Sequence, residues 1–193
     1  MAKRVYFAFD YEDVSDFRAN VVRKHNFTGG VEKAGYFDAS IWEEAKKKDP
    51  ATLRRLINAE LEGTLVTAVL IGTGTCLRRW VRYEILKSFA RGNRVLGIHI
   101  NGIKGKDQTT KALGSNPFGY LSLTISADGK AATPLEWDGA RWIANADLPN
   151  IPLVEQPAAS RNTIIQMSSF LPVYDWIAGN GFTNFSTWIA PSE

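Results

Sequence analysis

Residues 64–75, TLVTAVLIGTGT, are followed by residues 78–90, RRWVRYEILKSFA, and the change of pattern between the two decides the fold. The first segment carries Val, Leu, Ile and Thr without polar alternation, the composition of a central parallel strand covered on both faces. The Gly72-Thr73-Gly74-Thr75 turn ends it. In the second segment Val81, Ile85 and Phe89 recur every four residues as the core-facing stripe of a helix, and Trp80, Glu84 and Ser88 form the neighbouring stripe. A strand that feeds a helix in this way belongs to an open α/β sheet, whose ligands bind outside the carboxyl ends of the strands. Glu84, in the second turn of the helix and beside an indole, then lies at the rim of that crevice.

The flanking chain repeats the alternation. Arg4 to Phe9 is a short apolar run suited to a first strand, and Asp13 is expected to cap a helix with Val14, Phe17 and Val21 on one face. Ala34 to Phe37 reads as a short second strand. Asp49-Pro50 starts a helix whose apolar face is Leu53, Leu56, Ile57 and Leu61, and Gly63 ends it. Residues 93–101, NRVLGIHIN, supply a fourth strand. Beyond the Gly, Lys, Thr and Asn-rich stretch from Gly102 to Gly119, Leu121, Leu123 and Ile125 alternate. Turns at Asp128-Gly129 and Asp138-Gly139 then predict an antiparallel meander. Leu171 to Ala178, with Pro172 in its first turn and Gly179 after its end, is expected to be a terminal helix.

Composition narrows the function classes. A chain of 193 residues with 45% hydrophobic and 22% charged content fits one globular domain with a substantial core. The formal charge of +3 is small and the basic residues are scattered, so no stripe for nucleic acid is predicted, and Lys46-Lys47-Lys48 reads as a solvated run. No apolar run approaches the ~20 residues that span a bilayer, so no membrane contact is expected. The single cysteine, Cys76, and a start without a long apolar leader predict a protein of the reducing cytoplasm. His25, His99 and Cys76 are too few and too far apart for a zinc constellation, and no metal site is expected. A dinucleotide fingerprint, a phosphate-binding P-loop and a nucleophile elbow are all missing from the sequence.

Trp80-Val81-Arg82-Tyr83-Glu84-Ile85 resembles the Trp-x-x-x-Glu-Ile/Leu signature of TIR domains that cleave NAD. Val5-Tyr6-Phe7-Ala8-Phe9 resembles the first TIR strand, and Tyr36-Phe37-Asp38-Ala39-Ser40-Ile41-Trp42 the loop after the second. With Asn116-Pro117-Phe118 and Tyr174-Asp175-Trp176, the likeness to the bacterial TIR-like proteins of the Thoeris antiphage system extends over nearly the full length. It implies a flavodoxin-like TIR fold with a central parallel sheet, plus a C-terminal β-meander and helix elaboration. The domain is single, 1–193, with a core of about 1–120 and the elaboration at 121–193.

The resemblance also implies a reaction: loss of nicotinamide from NAD and formation of a cyclic ADP-ribose isomer that carries an antiphage signal to a downstream effector. NAD is then a substrate, with no cofactor. Glu84 is the implied catalytic residue, and Phe9, Asp10, Phe37, Asp38, Ser40, Trp42, Thr73 and Trp80 the implied substrate contacts. A phage-derived trigger and self-assembly, with the loop at Phe37 to Trp42 as gate, complete the expectation.

Bland alternatives stay open for several of these. Similar TIR domains hold a Ser within the first strand and a basic residue after it; those positions look like Ala8 and Asp10 here, a lost hydroxyl and a reversed charge. Asp10 is either a ribose contact or a strand-end turn residue. Phe37 and Trp42 are either stacking surfaces or core anchors. Thr73 is either a phosphate contact or a turn residue. Glu84 itself is either catalytic or an exposed helix residue pairing with Lys87. For the whole chain, the alternatives to an enzyme are a noncatalytic TIR-like interaction module and a nucleotide sensor.

Overall fold

In the computed structural model the described residues are 4–25, 33–34 and 49–190. The strand read at the centre is β3 (Val66–Ile71), all six residues of which are buried. Its neighbours are β1 (Val5–Phe9) on one side and β4 (Arg94–His99) on the other, in parallel register with Val5 opposite Val66 and Val66 opposite Arg94. The sheet is completed by β2 (Lys33–Ala34) beside β1 and β10 (Val173–Asp175) beside β4, giving the order β10-β4-β3-β1-β2. The chain leaves β1 in opposite directions toward β2 and β3. The switch point of this doubly wound sheet therefore lies between β1 and β3.

Strand alternation sends the two sets of side chains into separate cores. Tyr6, Ala8, Val69 and Ile71 meet α3 (Pro50–Leu61) and α4 (Arg79–Ala90) through Leu53, Ile57, Leu61, Val81 and Ile85. On the opposite face Val5, Phe7, Ala68, Leu70 and Leu96 meet α2 (Arg18–His25) and α5 (Gly181–Trp188) through Val22, Phe185 and Trp188. α3 begins where Asp49 accepts hydrogen bonds from the Thr52 amide at 3.0 Å and hydroxyl at 2.9 Å, with Pro50 in its first turn. Gly63, at φ +71°, takes the chain out of the helix in the left-handed conformation that favours glycine. None of the helices among the described residues is long and apolar enough to cross a membrane.

The meander expected after residue 120 is present as a second, antiparallel sheet. It comprises β5 (Leu121–Ile125), β6 (Ala131–Trp137), β7 (Trp142–Ala144) and β9 (Ile164–Gln166), with β8 (Ile151–Pro152) also paired to β6. Leu123, Ile125, Ala132 and Ile151 form its small core, against Phe89 and Ala90 at the end of α4. It is inserted between β4 and β10, so the parallel sheet draws its edge strand and α5 from the late chain.

Three expectations need correction. Leu171 to Ala178 is not a helix: Val173–Asp175 form β10, opposite Gly97 to His99, and the last helix starts at Gly181. Val173 and Tyr174 suit a half-buried edge strand, and Asp175 stops it by accepting the amides of Ile177 at 2.9 Å and Ala178 at 2.7 Å. The cap of the first helix, α1 (Tyr11–Ser15), is Asp10 and not Asp13. Phe17 is not a core residue either; its φ of +66° breaks the helix into α1 and α2 and leaves the ring 52% exposed. Of the second strand, Lys33 and Ala34 are paired with β1, while Tyr36 and Phe37 lie outside the described residues.

Candidate active site

α4 follows β3 through a short 3-10 turn at Thr75–Leu77 and returns across the face that carries Tyr6 and Ala8. That crossing places Glu84 beneath the surface, 5% exposed, with Tyr6 donating its hydroxyl proton to Oε1 at 2.6 Å. Glu84 is therefore not an exposed residue paired with Lys87. Burial pushes its pKa up from 4.5 to about 8, and the hydrogen bond from Tyr6 pulls in the opposite direction. Burial, then the charge of Glu84, likewise holds the Tyr6 phenol well above its ordinary pKa. The pair is thus a buried carboxyl group and a phenol that keeps its proton.

Trp80, one turn earlier in α4, is half-buried against the same core. Its ring meets Tyr83 edge-on at 6.0 Å between centroids, and the Arg79 guanidinium lies 5.0 Å from its centre. Tyr83 is itself anchored, its hydroxyl donating to Asn58 Oδ1 at 3.1 Å. Asp147, from the loop after β7, pairs with both Arg54 of α3 and Arg79 of α4 and so ties the second sheet to this end of the site. Burial raises the Asp147 pKa, but the two guanidinium groups outweigh it and hold the carboxyl below its usual range.

The carboxyl ends of β1 and β3 carry a second group of predicted residues. Asp10, 5% exposed, caps α1 through the Glu12 amide at 3.3 Å and accepts Arg78 Nε at 2.6 Å. The charge reversed at this position is therefore met by a cation from the residue that precedes α4. Arg78 also reaches Glu12 at 2.8 Å and stays 45% exposed. Thr73 accepts the side-chain amide of Asn101 at 3.0 Å and lines an open cleft of about 550 Å³ together with Glu12, Lys111, Gly114 and Ser115. Beside it Asp13 is buried against Gly72, where a Cβ would collide with the carboxylate. Burial and the charge of Asp10 raise the Asp13 pKa to about 6.

Strand alternation separates one predicted contact from the others. Phe9 shares its face with Val5 and Phe7, packs in the opposite core, and lies under the Arg23 guanidinium at 5.0 Å. Glu84 and Trp80 share α4, and Asp10 and Thr73 share the sheet edge. Phe37, Asp38, Ser40 and Trp42 lie outside the described residues. Tyr6 and Arg78, the partners of Glu84 and Asp10, were not among the predicted contacts. The alternation in VYFAF puts Tyr6 and Ala8 on one face, but nothing local pairs either with Glu84.

We expect Trp80→Ala to lower turnover about tenfold and to cost roughly 1–2 kcal/mol of stability, because the ring is shared between the site and the core. Parallel melting and turnover measurements check this; a variant unchanged in both would remove Trp80 from the site.

Residues 6–104 match the family described as Thoeris protein ThsB, TIR-like domain. Over 191 residues the chain is 49% identical to a protein of Bacillus cereus (strain MSX-D12) named "Putative cyclic ADP-D-ribose synthase ThsB1", an alignment covering 98% of this chain and 100% of the relative.

Proposed function

This chain belongs to the TIR-like family of the Thoeris protein ThsB, and from that membership we propose that it cleaves NAD, releases nicotinamide and closes the remainder into a cyclic ADP-ribose isomer. The observation that carries the reading is Glu84: one carboxyl group set in an apolar core, one turn from a half-buried indole, in a chain whose full-length relative is named for the synthesis of cyclic ADP-D-ribose.

The chemistry asks little else of the protein. The bond between ribose C1′ and the pyridinium nitrogen breaks with its electron pair going to nitrogen, so nicotinamide leaves neutral and needs no general acid. Positive charge then develops on the ribose. Glu84 faces that charge and accepts hydrogen bonds from the ribose hydroxyls, and its apolar setting makes the attraction stronger than it is in water. A nucleophile on the adenosine half of the same molecule captures the ribose carbon. Holding the dinucleotide folded gives that nucleophile an effective concentration of up to about 10⁵ M or more, which water does not match in a closed site. NAD enters as a substrate, and the heterolysis is redox-neutral.

Regulation belongs to the same proposal. An enzyme that destroys NAD is kept quiet at rest, and a carboxyl group 5% exposed with a pKa near 8 suits a resting state. A phage-derived trigger and assembly of several copies switch it on, and the diffusible product reaches a separate effector in the cytoplasm. Incubation with NAD across a range of protein concentrations, with and without material from phage-infected cells, tests the whole reading. Nicotinamide and a species one water lighter than ADP-ribose are expected in equal amounts. Linear ADP-ribose as the sole product would leave plain hydrolysis, and no nicotinamide under any condition would leave the interaction module or nucleotide sensor. Ala8 and Asp10, a lost hydroxyl and a reversed charge relative to similar TIR domains, are the features that favour the interaction module.

A further inference from the structure

We propose that Tyr6 is a positioning residue of this reaction: from β1 it holds one oxygen of Glu84 and leaves the other to the ribose of NAD. The inference rests on the catalytic role proposed for Glu84 and goes beyond it by assigning work to a strand residue that never touches substrate. The bond from the Tyr6 hydroxyl to Oε1 is 2.6 Å long, both residues are buried, and they come from different elements. Tyr6 is 1% exposed and locked in the core, so the sheet and not the helix sets where the donor stands. Among the described residues Tyr6 is the hydrogen-bond partner of the Glu84 carboxyl group, through Oε1 alone. One carboxyl oxygen is therefore tied, and the other is the one we assign to the ligand.

The direction of the bond matters. Burial and the negative charges of Glu84 and of Glu60, from α3, all favour the protonated phenol, so Tyr6 donates and Glu84 accepts. Among the described residues no cation bears on Glu84; burial and the Tyr6 hydrogen bond are what set its ionisation. A donor aimed at a carboxylate in apolar surroundings favours the charged form that the reaction needs. Phe at position 6 keeps the ring in the core and removes only the donor.

The test is the pH profile of nicotinamide release by wild type, Tyr6→Phe and Glu84→Gln under activating conditions, with melting measured in parallel. Tyr6→Phe is expected to move the midpoint of kcat/KM upward by about one unit and to lower kcat about tenfold near neutrality. KM for NAD should stay within about twofold, since Tyr6 does not touch the ligand. A lower melting temperature with an unmoved midpoint and unchanged kcat would make Tyr6 a packing residue only and overturn the assignment. Inactivity of wild type itself, or full activity in Glu84→Gln, would instead sink the reading on which the proposal rests. A double-mutant cycle of Tyr6→Phe and Glu84→Ala in melts above pH 8 reads the same bond without turnover, since alanine leaves the Tyr6 hydroxyl no acceptor. Non-additive effects are expected, and additive ones would count against the proposal.

Discussion

Glu84→Gln should lower nicotinamide release by on the order of 10²–10³-fold or more, the range expected when a preformed electrostatic partner of the transition state is removed. The same substitution should stabilise the fold at alkaline pH. Burial lifts the folded-state pKa of Glu84 from 4.5 to about 8, so the folded protein holds this proton more tightly than the unfolded chain does. The stabilisation from that proton is complete below about pH 4.5 and is lost as pH rises to about 8. Gln does not titrate. Its stability relative to wild type should therefore grow across that window and level off above it, by on the order of 5 kcal/mol in total. The kcat/KM of wild type should rise through the same upper limit, because Glu84 faces the ribose cation only when ionised. Melting at several pH values and single-turnover assays check both halves. A variant that releases nicotinamide at the wild-type rate removes Glu84 from the mechanism, and a stability difference that does not vary with pH contradicts the burial of its charge.

Trp176→Ala is expected to be the most damaging substitution away from the site. The indole is fully buried and is the largest side chain to be so among the described residues. It stands edge-on to His25, Phe182 and Trp188 at 5.7, 5.2 and 6.4 Å and tilted on Phe185 at 6.0 Å. Gly181 approaches the ring too closely for a Cβ to fit, so the neighbours are already packed to contact. Emptying that volume should cost about 3–5 kcal/mol, or roughly 10 °C in melting temperature for a domain of this size. Trp176→Phe should lose clearly less. A loss below about 2 °C for the alanine variant would mean that the layer of α2 and α5 collapses onto the space.

What was legible in the sequence follows from how each element is held. β3 is covered on both faces and shows as an unbroken apolar run, and α3 carries its own start signal in Asp49 and Pro50. That Glu84 and Trp80 share one stripe of α4 was legible, because one helical turn separates them. The edge strand β10 was not. Its three residues are half-buried, too few to show a period, and Pro172 beside them reads as well for a helix start as for an edge. The Tyr6 partner of Glu84 was out of reach for a different reason. The two are 78 residues apart, and their meeting depends on sheet register and helix crossing. Arg78 and Asp10 meet 68 residues apart by the same route.

The inserted meander has a consequence for chain entropy. β4 and β10 are neighbours in the sheet although the whole second sheet lies between them in the chain, and joining distant segments of a flexible chain is costly. The meander lessens that cost. Its strands pair antiparallel, and the register of Ser122 opposite Gln166 brings the two ends of the insertion side by side. Once it is folded, β9 ends at Gln166 and β10 starts at Val173, so the last strand has only a brief reach left to the edge of the sheet. The elaboration thus serves the core that it interrupts: its own local order makes the late closure of the parallel sheet entropically cheap.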